Sequence, residues 1–416
     1  MNYLFKNIRQ LVQVRENHPA FIAGEDMKVL PVIEKAWLAV EDGKIAAYGE
    51  MKDWPGISDW RNLEVIDADG KCILPCYADS HTHIVYAGSR EQEFVDRING
   101  LSYEEIAARG GGILNSAARL EKASEHELFD AAMERLNLIM HSGTGAVEIK
   151  SGYGLSLDAE LKMLRVIRQL KEKSPLTIKA TFLGAHAFPA LYKENKQAYI
   201  DLIIREMIPA VAAEGLADFI DVFCERNYFD PQQSTAILEA GKKLGLTPKV
   251  HANQMSRSGG VQVGVETGAI SVDHLEYVED EEIAYLRKSK TMPTLLPGAQ
   301  WFLSLPHPPA RKMIDNGLPI AIASDFNPGS SPSGNMNLML SMACVMYNMN
   351  PEEVVNASTL NTAYAMQAEH EIGSITLGKK ANLILTREIP GYSYIPYSFG
   401  MDLIEKVMIE GRWIRQ

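Results

Sequence analysis

The sequence predicts an α/β protein: a (β/α)8 TIM-like barrel beside a small β-sandwich domain built from both chain ends. Three observations predict this. Between residue 73 and about residue 326, eight apolar, β-rich runs alternate with stretches whose apolar residues recur at three- and four-residue spacing. Both ends of the chain lack that helical spacing and read as short strands and turns. Histidines gather where the predicted barrel strands finish, the face on which barrel enzymes keep their chemistry.

The elements follow in order. Val29-Leu-Pro-Val-Ile33 is a short apolar run. Ala36 to Gly49 reads as two strands around a Glu-Asp-Gly turn, a hairpin signal. Ala68-Asp-Gly-Lys71 gives a further turn. The eight barrel runs are Ile73–Ala78, Ala146–Ile149, Ile178–Gly184, Asp218–Phe223, Thr247–Val250, Ala269–Val272, Thr291–Leu296 and Pro319–Ala323. Helical spacing fills Leu157–Lys173, Gln197–Glu214 and Pro231–Leu244. From about Ile375 the β texture returns, with Leu377–Leu385, Ile404–Ile409 and Glu410–Ile414 as strands and turns. The domains expected are therefore 1–72 with 374–416, and 73–373. A doubly wound open sheet is the alternative, but no Gly-x-Gly-x-x-Gly follows a first strand.

Composition sets limits. The 416 residues are 46% apolar and 23% charged, ordinary for a globular enzyme. A net charge of −12 argues against nucleic acid or an anionic membrane as partner. It also means that an anionic small-molecule substrate needs a local cation. No window approaches the roughly 18 consecutive apolar residues of a spanning helix. Residues 1–14 have no apolar core of signal-peptide type, and the four cysteines show no zinc-ribbon spacing. A cytoplasmic protein with reduced thiols is the expectation.

The chemistry centres on Ile73-Leu-Pro-Cys-Tyr-Ala-Asp-Ser-His-Thr-His83. Residues i and i+2 of a strand share a face, so His81 and His83 present two imidazoles side by side. A pair of surface histidines is the competing reading. Later strand tips carry Lys150-Ser-Gly-Tyr153, His186, Cys224-Glu225, His251 with Gln254 beyond, Asp273-His274, Gln300, and Asp325-Phe-Asn327. His81, His83, His251 and Asp325 would make a mononuclear site with an open position for water. His251 could instead be a satisfied core histidine, and Asp325 a cap.

These features together resemble the amidohydrolase superfamily. The resemblance extends through Gly88-Ser-Arg90, Ala107–Ile113, Glu148-Ile-Lys-Ser-Gly-Tyr-Gly-Leu155, Phe182–Ala187, Asp221–Glu225, Leu295–Gly298, Pro309–Ile314 and Ala323–Pro332. It covers roughly residues 80 to 370. It implies a hydrolase that opens the cyclic amide of an imidazolone bearing a propanoate arm, giving formimidoylglutamate, a step of histidine degradation. It implies one metal ion per chain, zinc or iron, held by His81, His83, His251 and Asp325, and a homodimer. Asp325 would move the proton of the attacking water, and His274 would donate to the carbonyl oxygen. His274 as packing or support for a ligand is the competing reading.

Arg90 would grip the propanoate, unless it is spent on Glu91 or Glu93. Family matching assigns Tyr153, His186, Gln254, Asn327, Gly329 and Ser330 to substrate or product. Tyr103 is a further candidate, equally readable as a helix-face aromatic. His186 could be core, and Asn327, Gly329 and Ser330 simple turn chemistry. Gln254 stands where many members carry Glu, and an amide cannot act as a base. Glu225 could replace that function, but reads better as a buried structural carboxylate. No lysine ends strand four, which favours one metal over two. A superfamily deaminase, recognisable by ammonia release, is the enzymatic alternative; a scaffold without metal is the other.

Overall fold

The computed structural model describes residues 2–57, 61–101, 105–106, 109 and 111–415. Five strands precede the barrel: β1 (Asn2–Val12), β2 (Val32–Glu41), β3 (Lys44–Glu50), β4 (Leu63–Asp67) and β5 (Lys71–Pro75). Eight parallel strands follow: β6 (Tyr77–Thr82), β7 (Thr144–Lys150), β8 (Thr177–Ala185), β9 (Phe219–Cys224), β10 (Thr247–Ala252), β11 (Ser271–His274), β12 (Met292–Leu295) and β13 (Ala321–Ile322). Each lies beside its neighbour in sequence, as right-handed β-helix-β units require. Parallel strands covered by helices are buried on both faces, and every residue of β7 is buried. Three strands end the chain: β14 (Leu383–Glu388), β15 (Ile404–Ile409) and β16 (Arg412–Arg415).

The first and last strands form one mixed sheet in the order β16-β15-β14-β5-β1-β2-β3, with β4 beside β1. The chain ends meet at β5, parallel to β1 and antiparallel to β14. This sheet folds over on itself. Trp413 of β16 packs edge-on against Tyr3 and Phe5 of β1, with ring centroids 5.7 and 5.9 Å apart. The period of two decides what each strand does there. Ile73 of β5 faces the small core, while Cys72 and Leu74 face the barrel's core.

One expected strand is two. Ile73–Ala78 divides at Cys76, with residues 71–75 in the small sheet and residues 77–82 opening the barrel. The break expected between residues 72 and 73 therefore falls inside β5. The two strands abut without a turn residue, so an apolar run gives no sign of where one sheet hands the chain to the other.

Local expectations translate directly elsewhere. Asp42 and Gly43 take φ of +47° and +76°, as a two-residue type I′ hairpin demands. The helix over Leu157–Lys173 starts on the cap Ser156. The one over Pro231–Lys243 starts on a reciprocal Asp230–Gln233 capping box. The helical stretch expected over Gln197–Glu214 carries a π-turn at Ile203–Met207. Among the described residues no helix is long and apolar enough to cross a membrane.

The barrel closes between β6 and β13 through a few contacts. Asp325 N donates to His81 O at 3.0 Å, and His83 N to Phe326 O at 2.9 Å. Beneath them the buried Asp79 carboxylate accepts from Ser324 N (2.9 Å) and Ser324 Oγ (2.5 Å). Asp79→Ala leaves those two donors unpaired inside the seam. Loss of about 1–3 kcal/mol of stability is expected, seen as a lowered melting temperature by calorimetry.

Candidate active site

The seam determines what stands next to what. The backbone bonds joining β6 to the end of β13 put Asp325 beside His81 and His83. On the opposite wall β10 delivers His251, in register with Asp273 of β11 and Phe223 of β9. The result is a buried cluster. His83 Nε2 lies 3.3 Å from His81 Nε2 and 3.4 Å from His251 Nε2. Asp325 Oδ1 lies 3.6 Å from both His81 Nε2 and His83 Nε2.

These separations fit a metal. Zinc–nitrogen bonds of about 2.0–2.1 Å in a tetrahedral shell set neighbouring donors roughly 3.3–3.4 Å apart. Neutral imidazole lone pairs at that distance repel unless a cation lies between them. The outward nitrogens point the same way. His81 Nδ1 donates to Asp273 Oδ2 at 2.6 Å, which fixes the tautomer and leaves Nε2 free to ligate. His251 Nδ1 stands 2.9 Å from Asp221 Oδ2. Burial and then nearby cations and imidazoles hold His81 and His83 well below the ordinary histidine pKa. Both are therefore neutral, as ligands must be. The donor set suits a divalent ion.

The carboxylates behind the ligands belong to a charged network inside the barrel. Lys150 Nζ lies 2.6 Å from Glu148 Oε1, 2.8 Å from Asp221 Oδ2 and 3.8 Å from Asp273 Oδ2. Lys249 pairs with Glu148 and donates to Ser80 O at 2.9 Å. Burial pulls the Lys150 pKa down, but the three carboxylates outweigh it and raise it. This network was invisible as a unit in the sequence, because its five members are spread over four strands, with only Glu148 and Lys150 sharing one. The signal that could have found it is a charged residue inside a strand that reads as buried on both faces.

A cavity of about 330 Å3 opens above the cluster. His83, His251, Asp325, His274, Arg90, Tyr153, His186, Gln254, Asn327, Gly329 and Ser330 all line it. His81 sits behind His83, fully buried. Tyr103 lies outside the described residues. His186 Nδ1 donates to Gly152 O at 3.0 Å, so its Nε2 is left as an acceptor. Burial, then His251, lowers its pKa to about 3 and keeps the ring neutral.

His274 lies with His81 and His251 in one group whose ligating atoms are within 4.8 Å of one another. Its Nδ1 is 3.5 Å from the buried carboxylate of Glu276. Burial would lower its pKa, but Glu276 and other carboxylates reverse the sign and favour the protonated ring. Its backbone is strained: His274 and Leu275 take φ of +89° and +68°.

Arg90 stands at the N-cap of the helix Glu91–Ile98. It lines the cavity, yet its Nε and a terminal nitrogen bind Glu93 Oε2 at 2.9 and 2.6 Å. Gly329 packs against its guanidinium, and a Cβ there would collide with it. Asn327 lines the cavity and also shows the turn chemistry that competes with a substrate role. Its Oδ1 accepts from Gly329 N and Ser330 N, and its Nδ2 donates to Asp325 O and Ser330 Oγ. Its side chain is used up in shaping the loop that carries Asp325. Glu225 does not line the cavity. It accepts from Met255 N (2.9 Å) and Ser256 N (3.2 Å) and so anchors the loop that presents Gln254. Asp221→Asn, which keeps the shape and weakens the acceptor for His251, should lower metal affinity about 10–100-fold, measured by competition with a chromogenic chelator.

Comparison with known proteins follows the same line. The amidohydrolase family model matches residues 72–414. A protein of Christiangramia forsetii named imidazolonepropionase is 55% identical over 414 residues, covering all of both chains. One of Flavobacterium johnsoniae with the same name is 54% identical, covering 99% of each. One of a Geobacillus species is 42% identical, covering 98% of this chain and 96% of its own. Among solved structures, Escherichia coli guanine deaminase superposes with a TM-score of 0.72 at 13% identity, over 100% of this chain and 99% of that one. A triazine hydrolase variant gives 0.74 at 13%, over 100% and 95%. At those identities the likeness is one of fold. By its family match and its full-length relatives, the chain belongs to the amidohydrolase family.

Proposed function

We propose that the chain hydrolyses 4-imidazolone-5-propanoate to N-formimidoyl-L-glutamate, the imidazolonepropionase reaction. One observation carries the reading: His83, His251, Asp325 and Arg90 line a single cavity with the buried His81 beside His83, in a chain 55% identical end to end to a protein named imidazolonepropionase. Opening a cyclic amide needs an activated water at its carbonyl, and a propanoate arm needs a cation. A neutral purine or pyrimidine would bring no carboxylate to the wall that Arg90 belongs to.

Zinc or iron suits three imidazoles and a carboxylate; either supplies Lewis-acid chemistry, bringing the pKa of water toward about 7 and polarising a carbonyl oxygen. The remaining work falls to side chains. Water oxygen bonds to the ring carbonyl carbon, and the bond from that carbon to the ring nitrogen breaks. Asp325 takes the proton released by the water and returns it to the departing nitrogen. Ser330 Oγ, 3.2 Å from Asp325 Oδ2, steadies the carboxylate during both transfers. His274, whose pKa the nearby Glu276 carboxylate raises against the effect of burial, donates to the carbonyl oxygen as it gains negative charge. Tyr153, His186 and Gln254 surround the ring, and the acceptor Nε2 of His186 can take a ring N–H. Nothing in this scheme asks Gln254 to act as a base.

Incubation of the metal-loaded protein with imidazolonepropanoate should yield one formimidoylglutamate per substrate consumed and no ammonia, followed by mass spectrometry and an ammonia assay. Ammonia release, or no turnover at all, would overturn the proposal. His274→Ala should lower kcat by about 10²–10³, as for loss of a donor to a developing oxyanion.

A further inference from the structure

We propose that Arg97 is a second cation of the cavity wall and sets its preference for a substrate carrying a carboxylate arm; this rests on the hydrolytic reading above and adds to it a residue that binds substrate.

The helix Glu91–Ile98 runs along the cavity, with Arg90 at its N-cap. Arg90, Glu93 and Arg97 fall three and four residues apart, so they share one face. All three line the cavity. The first two are committed to each other. Arg90 holds Glu93 Oε2 with two nitrogens, and Glu93 Oε1 accepts from Gly112 N (3.0 Å) and Asn115 Nδ2 (3.3 Å). Their charges cancel in place.

Arg97 has no such partner among the described residues. Among the described residues no hydrogen bond or ion pair engages its guanidinium. Instead the group lies over the ring of Phe302, 4.9 Å from the centroid. Phe302 is itself stacked on Phe94 at 5.1 Å. An aromatic face orients a guanidinium without neutralising it, and the N–H groups around its edge stay available to a planar carboxylate. Its neighbour Asp96 leans to Arg109, at 3.9 Å. Arg90, Glu93 and Arg97 together leave one positive charge on this wall, in a chain whose net charge is −12.

A half-buried cation without a counter-ion is unfavourable, and an anion entering the cavity relieves it. Burial, then Arg90, lowers the Arg97 pKa, and the opposing pull of Glu93 does not make up the difference. A ligand with one carboxylate brings the charge of the wall to zero. A ligand with a neutral arm leaves Arg97 unpaired, which is how a site built for a polar group rejects the analogue lacking it.

The test uses the metal-loaded protein with two inhibitors that differ only in charge, imidazole-4-propanoate and its amide. Arg97→Met keeps an apolar stem against Phe302 and removes the charge; Arg97→Lys keeps the charge and removes the fork. Arg97→Met should weaken propanoate binding, and raise KM for imidazolonepropanoate, by about tenfold or more, the size of one charge-assisted hydrogen bond. Amide binding and kcat should stay unchanged, and Arg97→Lys should fall between. Equal weakening of both inhibitors would mean that Arg97 only supports the helix, and no change in either would remove it from the site; both results overturn the proposal. Should the wild-type protein fail to turn over imidazolonepropanoate, the hydrolytic reading falls, while the difference between the two inhibitors still decides the case of Arg97.

Discussion

The backbone hydrogen bonds that close the barrel also assemble its chemistry. Asp325 donates its amide to His81, and His83 donates its own to Phe326. The last strand cannot join the first without setting a carboxylate beside two imidazoles. Asp325 takes a left-handed φ of +53° to do so, a conformation that costs a non-glycine residue about 1–3 kcal/mol. Asn327 spends its whole amide on the loop that follows, which stabilises that turn. Closure and function are thus one constraint rather than two, and the seam is where the fold has least freedom to vary.

Below the seam lies a less common feature, a set of ionised groups in the interior. Glu148, Lys150, Asp221, Lys249 and Asp273 are fully or almost fully buried. Removing each ion from water costs several kcal/mol, and pairing recovers only part of that. A barrel filled with Val and Leu would be at least as stable. What the charges achieve is direction: Asp273 and Asp221 hold the back nitrogens of His81 and His251, and Lys150 lies against both carboxylates. The rings therefore face a common point before any ion arrives, which spares the reorganisation that a flexible site would need.

Much of this was legible in the sequence, and the reasons are particular. His81 and His83 could be paired because a strand repeats every two residues, a rule that needs no tertiary knowledge. His251 and Asp325 could be added because both follow apolar runs in an alternating pattern, and a barrel brings all its strand tips to one rim. The helix at Leu157–Lys173 was fixed by its apolar spacing, a local signal to which the structure adds the cap Ser156. Three things were not legible. The handover at Cys76 has no local signal, since either sheet accepts the same apolar residues. The inner network has none either, because apart from the Glu148–Lys150 pair of one strand its partners come together only from separate strands. Arg97 has no signal in the sequence, and only the nearness of Phe302 and the cavity sets it apart.

The cavity divides its labour along its depth. At the floor, neutral imidazoles and a carboxylate converge; at the side, a cationic helix face meets the aromatic ring of Phe302. The arrangement suits a small planar ring with an acidic arm, and each end of such a molecule meets groups it cannot exchange for those at the other. The most direct test of the account is X-ray absorption on the zinc-loaded protein. One ion per chain, with three imidazole nitrogens and one carboxylate oxygen in its inner shell, is the predicted result. A second metal within scattering distance, or an ion bound through fewer imidazoles, would contradict the claim that barrel closure sets Asp325 into one four-donor site with His81, His83 and His251.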